Sequence, residues 1–465
     1  MGLAGRASVF AAVVLPLVVL SCDSSEIGSP PKVRPSTWHV EGNAIHDPTG
    51  RTVILRGVNL SGAHKVKPYF NDFGPSDYTR VRTEWGMNAA RFLMVWAAIE
   101  PTRGNYDEAY LGELEKRMQW ARDAGLWIVL DMHQDLYGEG FLGGDGAPPW
   151  TCDEAKYKAF KPATPWFFGY LDKNLTDCFD SLWTNADTRG HLVEAWRRVA
   201  RRLARFDNIL GVDPLNEPHW GSYPVDQFEK DRLVPFYEDV TRAVREAAPH
   251  WIVFAEPSAA KNLGFEAKLP KLAADNVVYA PHAYDPTAES GGGFDESRRG
   301  AYLLRVADLR AEADALGQGL FLGEYGGVAD HPGIVPYMNA AFDAAGAAAA
   351  SSAYWAYDKS SGYAILTKEG AEKKDLLEAL VRPYPERTAG KLLSYAYDVP
   401  TKTGTVRFEP DASIDAPTEI VVPARIYPRG AAVECGGCEV EEAPGVVRLR
   451  KVPSASPAIV TVRPR

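Results

Sequence analysis

The sequence predicts an α/β fold, a (β/α)₈ TIM barrel followed by a small C-terminal β-sandwich, on three observations. First, short apolar runs alternate with helical patterns through most of the chain, and eight can be counted, the last ending near Trp355. Eight is the number at which a parallel barrel closes, whereas an open doubly wound sheet has no reason to stop there. Second, the runs at 209–215 and 319–322 lead directly into Asn216-Glu217-Pro218 and Gly323-Glu324-Tyr325-Gly326. Each glutamate is therefore expected at the carboxyl end of a buried parallel strand, facing the mouth of the barrel. Third, from residue 391 onward the pattern becomes short alternating runs separated by Pro and Gly, which suits a sandwich. No glycine-rich phosphate fingerprint follows the first strand, and this disfavours a dinucleotide fold.

Taken in order, residues 38–45 followed by Asp47-Pro48-Thr49-Gly50 read as a hairpin closing the bottom of the barrel. The first barrel strand is expected at 53–59, a helix at 77–85 and the second strand at 89–94. Asn105, with Glu108 three positions on, is expected to cap a helix whose apolar face is Leu111, Leu114, Met118 and Ala121 and whose end is Gly125. Further strands are expected at 126–130, 209–215, 251–255, 277–280, 319–322 and 349–355. The sandwich should include 405–408, 418–422, 446–449 and 458–462. The predicted organisation is thus an export signal at 1–22, a spacer at 23–36, the barrel at 37–382 and the sandwich at 383–465.

With 465 residues and 46% hydrophobic content the chain can bury a core large enough for a barrel and a companion domain. A formal charge of −10 argues against nucleic acid as a partner, because a phosphate backbone requires a concentrated basic surface. The arginines at 197, 198, 201, 202 and 205 alternate with Val193, Trp196, Val199, Ala200 and Leu203, the spacing of an amphipathic helix with a wet basic face.

Arg6, an apolar run at 9–20 and Ser21-Cys22 have the layout of a secretory signal, too short for a spanning helix. Val19-Leu20-Ser21-Cys22 also resembles a bacterial lipobox, which implies lipidation of Cys22; the alternative is an ordinary cleavage site beside an incidental cysteine. Either reading implies an exported protein, secreted or membrane-anchored. Residues 23–35, rich in Ser, Pro and Gly, suit a flexible spacer. Of five cysteines, four remain for pairing in an oxidising compartment, and bridges Cys152–Cys178 and Cys435–Cys438 are expected. No second Cys or His pair accompanies Cys435 and Cys438, so neither a zinc site nor redox chemistry is indicated.

Two glutamates at neighbouring strand ends are the minimum equipment for cleaving a glycosidic bond. Retention of configuration needs one carboxyl to donate a proton and a second, roughly 5 Å away, to attack as an anion. A nearby cation and hydrogen-bond donors would keep Glu324 charged, and the field of that charge would hold the proton on Glu217.

The ordered set at successive strand ends resembles glycoside hydrolase family 5: Arg91, Asp131-Met132-His133, Asn216-Glu217-Pro218, His282-Ala283-Tyr284, Glu324 and Trp355. The resemblance implies Glu217 as acid/base, Glu324 as nucleophile and Asn216 as partner of the sugar 2-hydroxyl. It further implies that Arg91 and Tyr284 hold Glu324, that His282 lies near the pair, and that Trp355 forms a stacking floor. No metal or cofactor is needed. Within the family, residues 131–138 and 143–150, with 57–65 after the first strand, are similar to the endoglycoceramidases. That similarity implies hydrolysis of the glycan–ceramide bond of glycosphingolipids, with sugar contacts from Lys65, Asp131, His133 and Asp135. It also implies approach to a membrane surface or micelle, and a monomer is expected. His64 and Lys67 are neighbours that could take the place of Lys65.

Between the third strand and the next helix runs an excursion of roughly fifty residues, far longer than ordinary connections. It carries Phe141, Leu142, Trp150, Phe160, Trp166, Phe167, Phe168, Tyr170 and Phe179. These are expected partly to line a path for acyl chains and partly to form a small core clasped by Cys152 and Cys178. Competing readings are a glucosyl- or galactosylceramide or steryl-glycoside β-glycosidase, an endo-β-glucanase, and a surface lipoprotein that binds glycans without cleaving them.

Overall fold

Eight parallel strands form a closed barrel: β1 (Arg56–Leu60), β2 (Ala89–Val95), β3 (Trp127–His133), β4 (Ile209–Asp213), β5 (Ile252–Ala255), β6 (Val277–Tyr279), β7 (Gly319–Tyr325) and β8 (Ser351–Tyr357), with β8 beside β1. The computed structural model describes residues 1–2, 35–453 and 457–465, so the readings made for residues 3–34, Cys22 among them, lie outside the described residues. Helices cover the outer faces of the strands, and both faces are buried, which is why β2 and β7 are near-continuous apolar runs. Ala89, Val129, Leu210, Ile252, Phe254, Val278, Phe321 and Ala353 fill the lower barrel. Beneath them Ile45, Val53 and Leu55 complete the same cluster, so the N-terminal hairpin closes the base.

Two local expectations are corrected. The long helix Glu108–Ala124 is capped by Asp107, whose side chain accepts from the N–H groups of Ala109 and Tyr110, and not by Asn105. Asp107 sits directly before the first helical residue, where its short carboxylate reaches the orphan donors that Asn105, two positions earlier, does not. Thr52–Val53 is a strand of a different sheet, so the first barrel strand starts at Arg56.

That other sheet has seven antiparallel strands in the order His39–Glu41, Ala44–His46, Thr52–Val53, Tyr384–Thr388, Thr418–Val421, Val446–Arg450, Glu439–Ala443. A four-stranded antiparallel sheet, Gly390–Asp398, Thr403–Pro410, Ala458–Pro464 and Ala431–Glu434, forms the second layer. The N-terminal hairpin thus extends the C-terminal sandwich while plugging the barrel. Ion pairs tie these parts together: Arg51, next to the hairpin, lies 3.4 Å from Glu419 of the sandwich, and Arg82 of the barrel donates to Glu386 at 2.6 Å. On the barrel side, the helix Ile334–Ala347 lies against Gly390–Asp398 so closely that a Cβ on Gly346 would come 2.1 Å from the Tyr395 carbonyl oxygen.

The arginine-rich helix Ala186–Leu203 buries Trp196, Val199, Ala200 and Leu203 and turns its cations to Glu246, Glu108 and Glu115. Disulfides join Cys152 to Cys178 and Cys435 to Cys438.

Candidate active site

Charged side chains replace apolar ones at the upper end of the barrel. On β2 the inward series passes from Ala89 to Arg91, and on β3 from Val129 to Asp131 and His133. The register sets Asn59 beside Arg91 across β1 and β2, and Asp131 beside Asp213 across β3 and β4. On β7 strict alternation would turn Glu324 outward, since Phe321 faces in and Leu322 faces out. A register shift between Leu322 and Tyr325, where β7 meets β8, inserts one residue and brings Glu324 into the mouth. Gly323 precedes it, and a Cβ there would lie 3.1 Å from the His282 ring.

Arg91 is completely buried and is the hub. Its Nη1 donates to Glu324 Oε1 at 2.8 Å and to Asn59 Oδ1 at 3.1 Å; its Nη2 donates to Asn216 Oδ1 at 2.9 Å and to Glu256 Oε1 at 3.0 Å. Nε reaches Asp213 Oδ2 at 2.9 Å, and Asp131 Oδ1 lies 2.9 Å from Nη2. Burial alone would favour a neutral guanidine, but Asp131, Asp213, Glu324 and Glu256 together hold the cation firmly. The same burial lifts Asp131 and Asp213 well above the usual carboxylate range, relieving the excess of acid over base.

Glu324 receives a second donor, the Tyr284 hydroxyl, at 2.8 Å on Oε2. The expectation that such neighbours would hold its pKa low meets a larger opposing effect. Burial raises the Glu324 carboxyl above its ordinary range, with His282 and Arg91 pulling against it. His282 stands between the two glutamates, with Nδ1 2.8 Å from Glu217 Oε1 and 3.6 Å from Glu324 Oε2, and Nε2 3.2 Å from Glu256 Oε1. Burial disfavours a charged ring, yet Glu256, Glu324 and Glu217 overcome it, so the imidazole is held as its cation. Oxygens of Glu217 and Glu324 approach within 4.8 Å.

Glu217 follows β4 with a backbone φ of 43°, a left-handed conformation that costs a residue with a side chain roughly 1–3 kcal/mol. Its N–H is held by Glu256 Oε2 at 3.0 Å. Glu217, Glu324, Asn216, Tyr284, Lys65, His133, Asp135 and Trp355 line one cavity of 840 Å³. Arg91, Asp131 and His282 are buried behind it. Along its other wall Lys65 pairs with Asp135, and its ammonium stands 4.6 Å over the centre of the Trp355 ring. His133 stacks on Trp355 at 5.3 Å and shares a 2.8 Å hydrogen bond between Nδ1 and Asp131 Oδ2. Burial opposes the charge on Asp135, but Lys65 and His133 outweigh it and hold this carboxyl well below the usual range. Of the neighbours that could have displaced Lys65, His64 is buried against the Leu93 carbonyl and Lys67 faces Glu139.

Residues 46–361 match the family model described as cellulase (glycosyl hydrolase family 5), and residues 382–463 match the glycoside hydrolase family 5 C-terminal domain. The chain belongs to glycosyl hydrolase family 5. Endoglycoceramidase I of Rhodococcus hoagii is 28% identical over 452 residues, covering 92% of this chain and 88% of the relative. The solved structure of endo-glycoceramidase II from Rhodococcus sp. in its ganglioside GM3 complex is similar with a TM-score of 0.82 and 28% identity, covering 91% of this chain and 99% of that one. The same enzyme solved as a lactosyl-enzyme intermediate gives a TM-score of 0.80 at 28% identity, covering 91% of this chain and 100% of that one.

Several members of this family 5 site were missed in the sequence. Asp213 lay hidden inside the apolar run 209–215, and Glu256 follows β5 in an Ala255-Glu256-Pro257 step of the same form as Asn216-Glu217-Pro218, a signal that could have been used. Asn262, on the next loop, donates to Glu217 Oε1 at 2.7 Å and carries no motif. Asp145 and Glu289 also line the cavity; Glu289 is pushed up to about 8 by burial and by the charge of Glu217.

Proposed function

We propose that this protein hydrolyses the bond between glycan and ceramide in glycosphingolipids, by double displacement with retention of configuration. A carboxylate oxygen of Glu324 attacks the anomeric carbon while Glu217 gives its proton to the departing ceramide oxygen. Water then attacks the glycosyl ester, Glu217 takes its proton, and Glu324 leaves as the anion. An approach of their oxygens within 4.8 Å fits retention, for which the carboxyls stand about 5–5.5 Å apart, rather than inversion, which needs about 6.5 Å or more. Arg91 on one oxygen of Glu324 and Tyr284 on the other favour the charge there over Glu217. On Glu217 both donors, Asn262 and His282, contact Oε1, which leaves Oε2 to carry the transferable proton. Asn216 serves the 2-hydroxyl, Trp355 forms the floor, and Lys65, Asp131, His133 and Asp135 order the sugars.

The observation that carries the substrate reading is that one cavity has two kinds of wall. Lys65, Asp135 and Asp145 present hydrogen-bonding groups, and the long loop after β3 supplies Leu142 and Trp166 to the same cavity, 73% and 50% exposed. Phe168 and Leu171 of the same loop are exposed too, whereas Phe141, Phe160, Tyr170 and Phe179 are buried as the loop's own core. An exposed apolar rim beside a polar pocket suits an amphiphile held in a membrane or micelle. The similarity to endoglycoceramidases supports the same substrate. The test is the product from lactosylceramide and from GM3 in mixed detergent micelles. Intact oligosaccharide plus ceramide is the expected result. Release of single sugars from the outer end, or cleavage confined to glucosylceramide, steryl glucoside or cello-oligosaccharides, overturns it, and binding without cleavage leaves only a lectin.

We further infer an exported protein acting as a monomer, tethered through Cys22, because every group in the site comes from one chain and the N-terminal segment has the signal pattern. With Cys22→Ser the protein should leave the membrane fraction; continued retention there removes the tether.

A further inference from the structure

Gln134 follows β3 and has no role in the chemistry above, yet it bonds directly to the segment carrying Glu217. Its Nε2 donates to two consecutive carbonyls, Asn216 at 3.0 Å and Glu217 at 3.1 Å. Its own carbonyl accepts from Asn216 Nδ2 at 3.1 Å. Its Oε1 in turn accepts from the Tyr137 N–H at 2.9 Å and the Tyr170 hydroxyl at 3.4 Å. Leu136 and Tyr137 have φ of 50° and 72°, two successive left-handed residues that fold the chain back and bring the Tyr137 N–H to Gln134. Tyr170 is fixed from behind, accepting from the Leu136 N–H at 2.9 Å and stacking on His219 at 5.3 Å. Gln134 is buried, so each of these groups would be left without water if the contact were lost.

The backbone held in this way is the strained one. Glu217 at φ 43° has an alternative conformation of lower energy, and relaxing into it would swing the carboxyl away from the bond it must protonate. The Glu256 contact restrains the N–H of Glu217, and Gln134 restrains its carbonyl and the preceding one. We propose that Gln134 is a positioning residue that locks the left-handed Glu217 peptide in place, so that the long loop after β3 supports the proton donor as well as shaping the pocket. This rests on the reading of Glu217 as acid/base.

The test exploits leaving groups. A ceramide alkoxide must be protonated as it departs, whereas dinitrophenolate departs without help, so a displaced proton donor slows only the first. Gln134→Glu keeps the size and the acceptor for Tyr137 but sets oxygens against the two carbonyls. It should lower kcat/KM on lactosylceramide by about 10²-fold, the cost of a misplacement of about 1 Å, with kcat/KM on dinitrophenyl lactoside left within about 3-fold. Tyr170→Phe, which removes the hydroxyl that supports Gln134 and accepts from the Leu136 N–H, should show the same split at smaller size. An equal fall on both substrates, or no fall on either, overturns the proposal. Glu217→Ala measured alongside separates the two claims. If it too fails to discriminate the substrates, the acid/base reading falls and the lock with it; if it discriminates and Gln134→Glu does not, only the lock falls.

Discussion

Glu324→Gln should lower kcat on lactosylceramide and on dinitrophenyl lactoside alike by on the order of 10⁵-fold, equivalent to about 7 kcal/mol in the barrier. The amide is nearly isosteric: its oxygen can still accept from Arg91 while its NH2 donates to the Tyr284 hydroxyl, in place of the two carboxylate oxygens that these residues contact at 2.8 Å each in the native side chain. It cannot form the glycosyl ester, so the loss is of the bond-making step and an activated leaving group does not rescue it. Glu217→Gln should behave differently. It loses the proton donor, worth about 10² to 10⁴-fold on a ceramide leaving group, and retains fast ester formation from dinitrophenyl lactoside. Added azide should then intercept the ester and yield lactosyl azide of unchanged anomeric configuration. The contrast matters because burial raises Glu324 while Arg91, Tyr284 and His282 all contact it, so acidity alone does not rank the two carboxyls. Turnover by Glu324→Gln within about tenfold of the native enzyme, or azide rescue of Glu324→Gln in place of Glu217→Gln, would reverse the roles.

Much of this site was legible because barrel chemistry sits where an apolar run stops. Glu217 and Glu324 stand at such points, Tyr284 lies a few residues past the end of β6, and strand periodicity turns Arg91 and Trp355 inward from within β2 and β8. Glu324 reaches the mouth through the register shift between Leu322 and Tyr325, a tertiary feature with no local signal, so its position was inferred correctly while the reason was not. Asp213 is not legible for a physical reason: a buried acid is tolerable only beside a buried base, and Arg91 lies far away in sequence. Gln134 sits inside a motif read for its neighbours His133 and Asp135, and only coordinates reveal its bonds to residues 216 and 217. The hairpin at the N-terminus reads correctly as the floor of the barrel. Its membership in the sheet of the C-terminal domain depends on the pairing of Thr52 and Val53 with Thr388 and Arg387, distant partners that short strands do not announce.

Arg91→Met should be the most damaging single change to folding, and it should lower turnover as well. The guanidinium touches Asp131, Asp213, Glu256 and Glu324 within 3.0 Å, and all five side chains are buried. A thioether of similar length fills the volume but leaves four acids facing one another in a dry cavity, with His282 as the remaining nearby cation. Breaking a buried pair by removing one partner costs about 3–5 kcal/mol, and that is the expected loss in a denaturant titration at neutral pH. Arg91→Lys should recover only part of it, since one ammonium cannot direct separate donors to Asp213, Glu256, Asn216 and Glu324. The pH dependence identifies the cause. Burial already raises the folded-state pKa of Asp131 and Asp213, and losing Arg91 raises it further. A carboxyl whose pKa is higher folded than unfolded binds more protons in the native state, so its penalty grows as pH rises above the unfolded value and fades as pH falls. The stability gap between Arg91→Met and the native protein should therefore narrow from about pH 8 to about pH 5. Removing an apolar contact would give a gap independent of pH, and that outcome would deny Arg91 the electrostatic role assigned to it here. Turnover should fall by at least about 10³-fold at every pH, because Glu324 and Asn216 lose the donor that orients both.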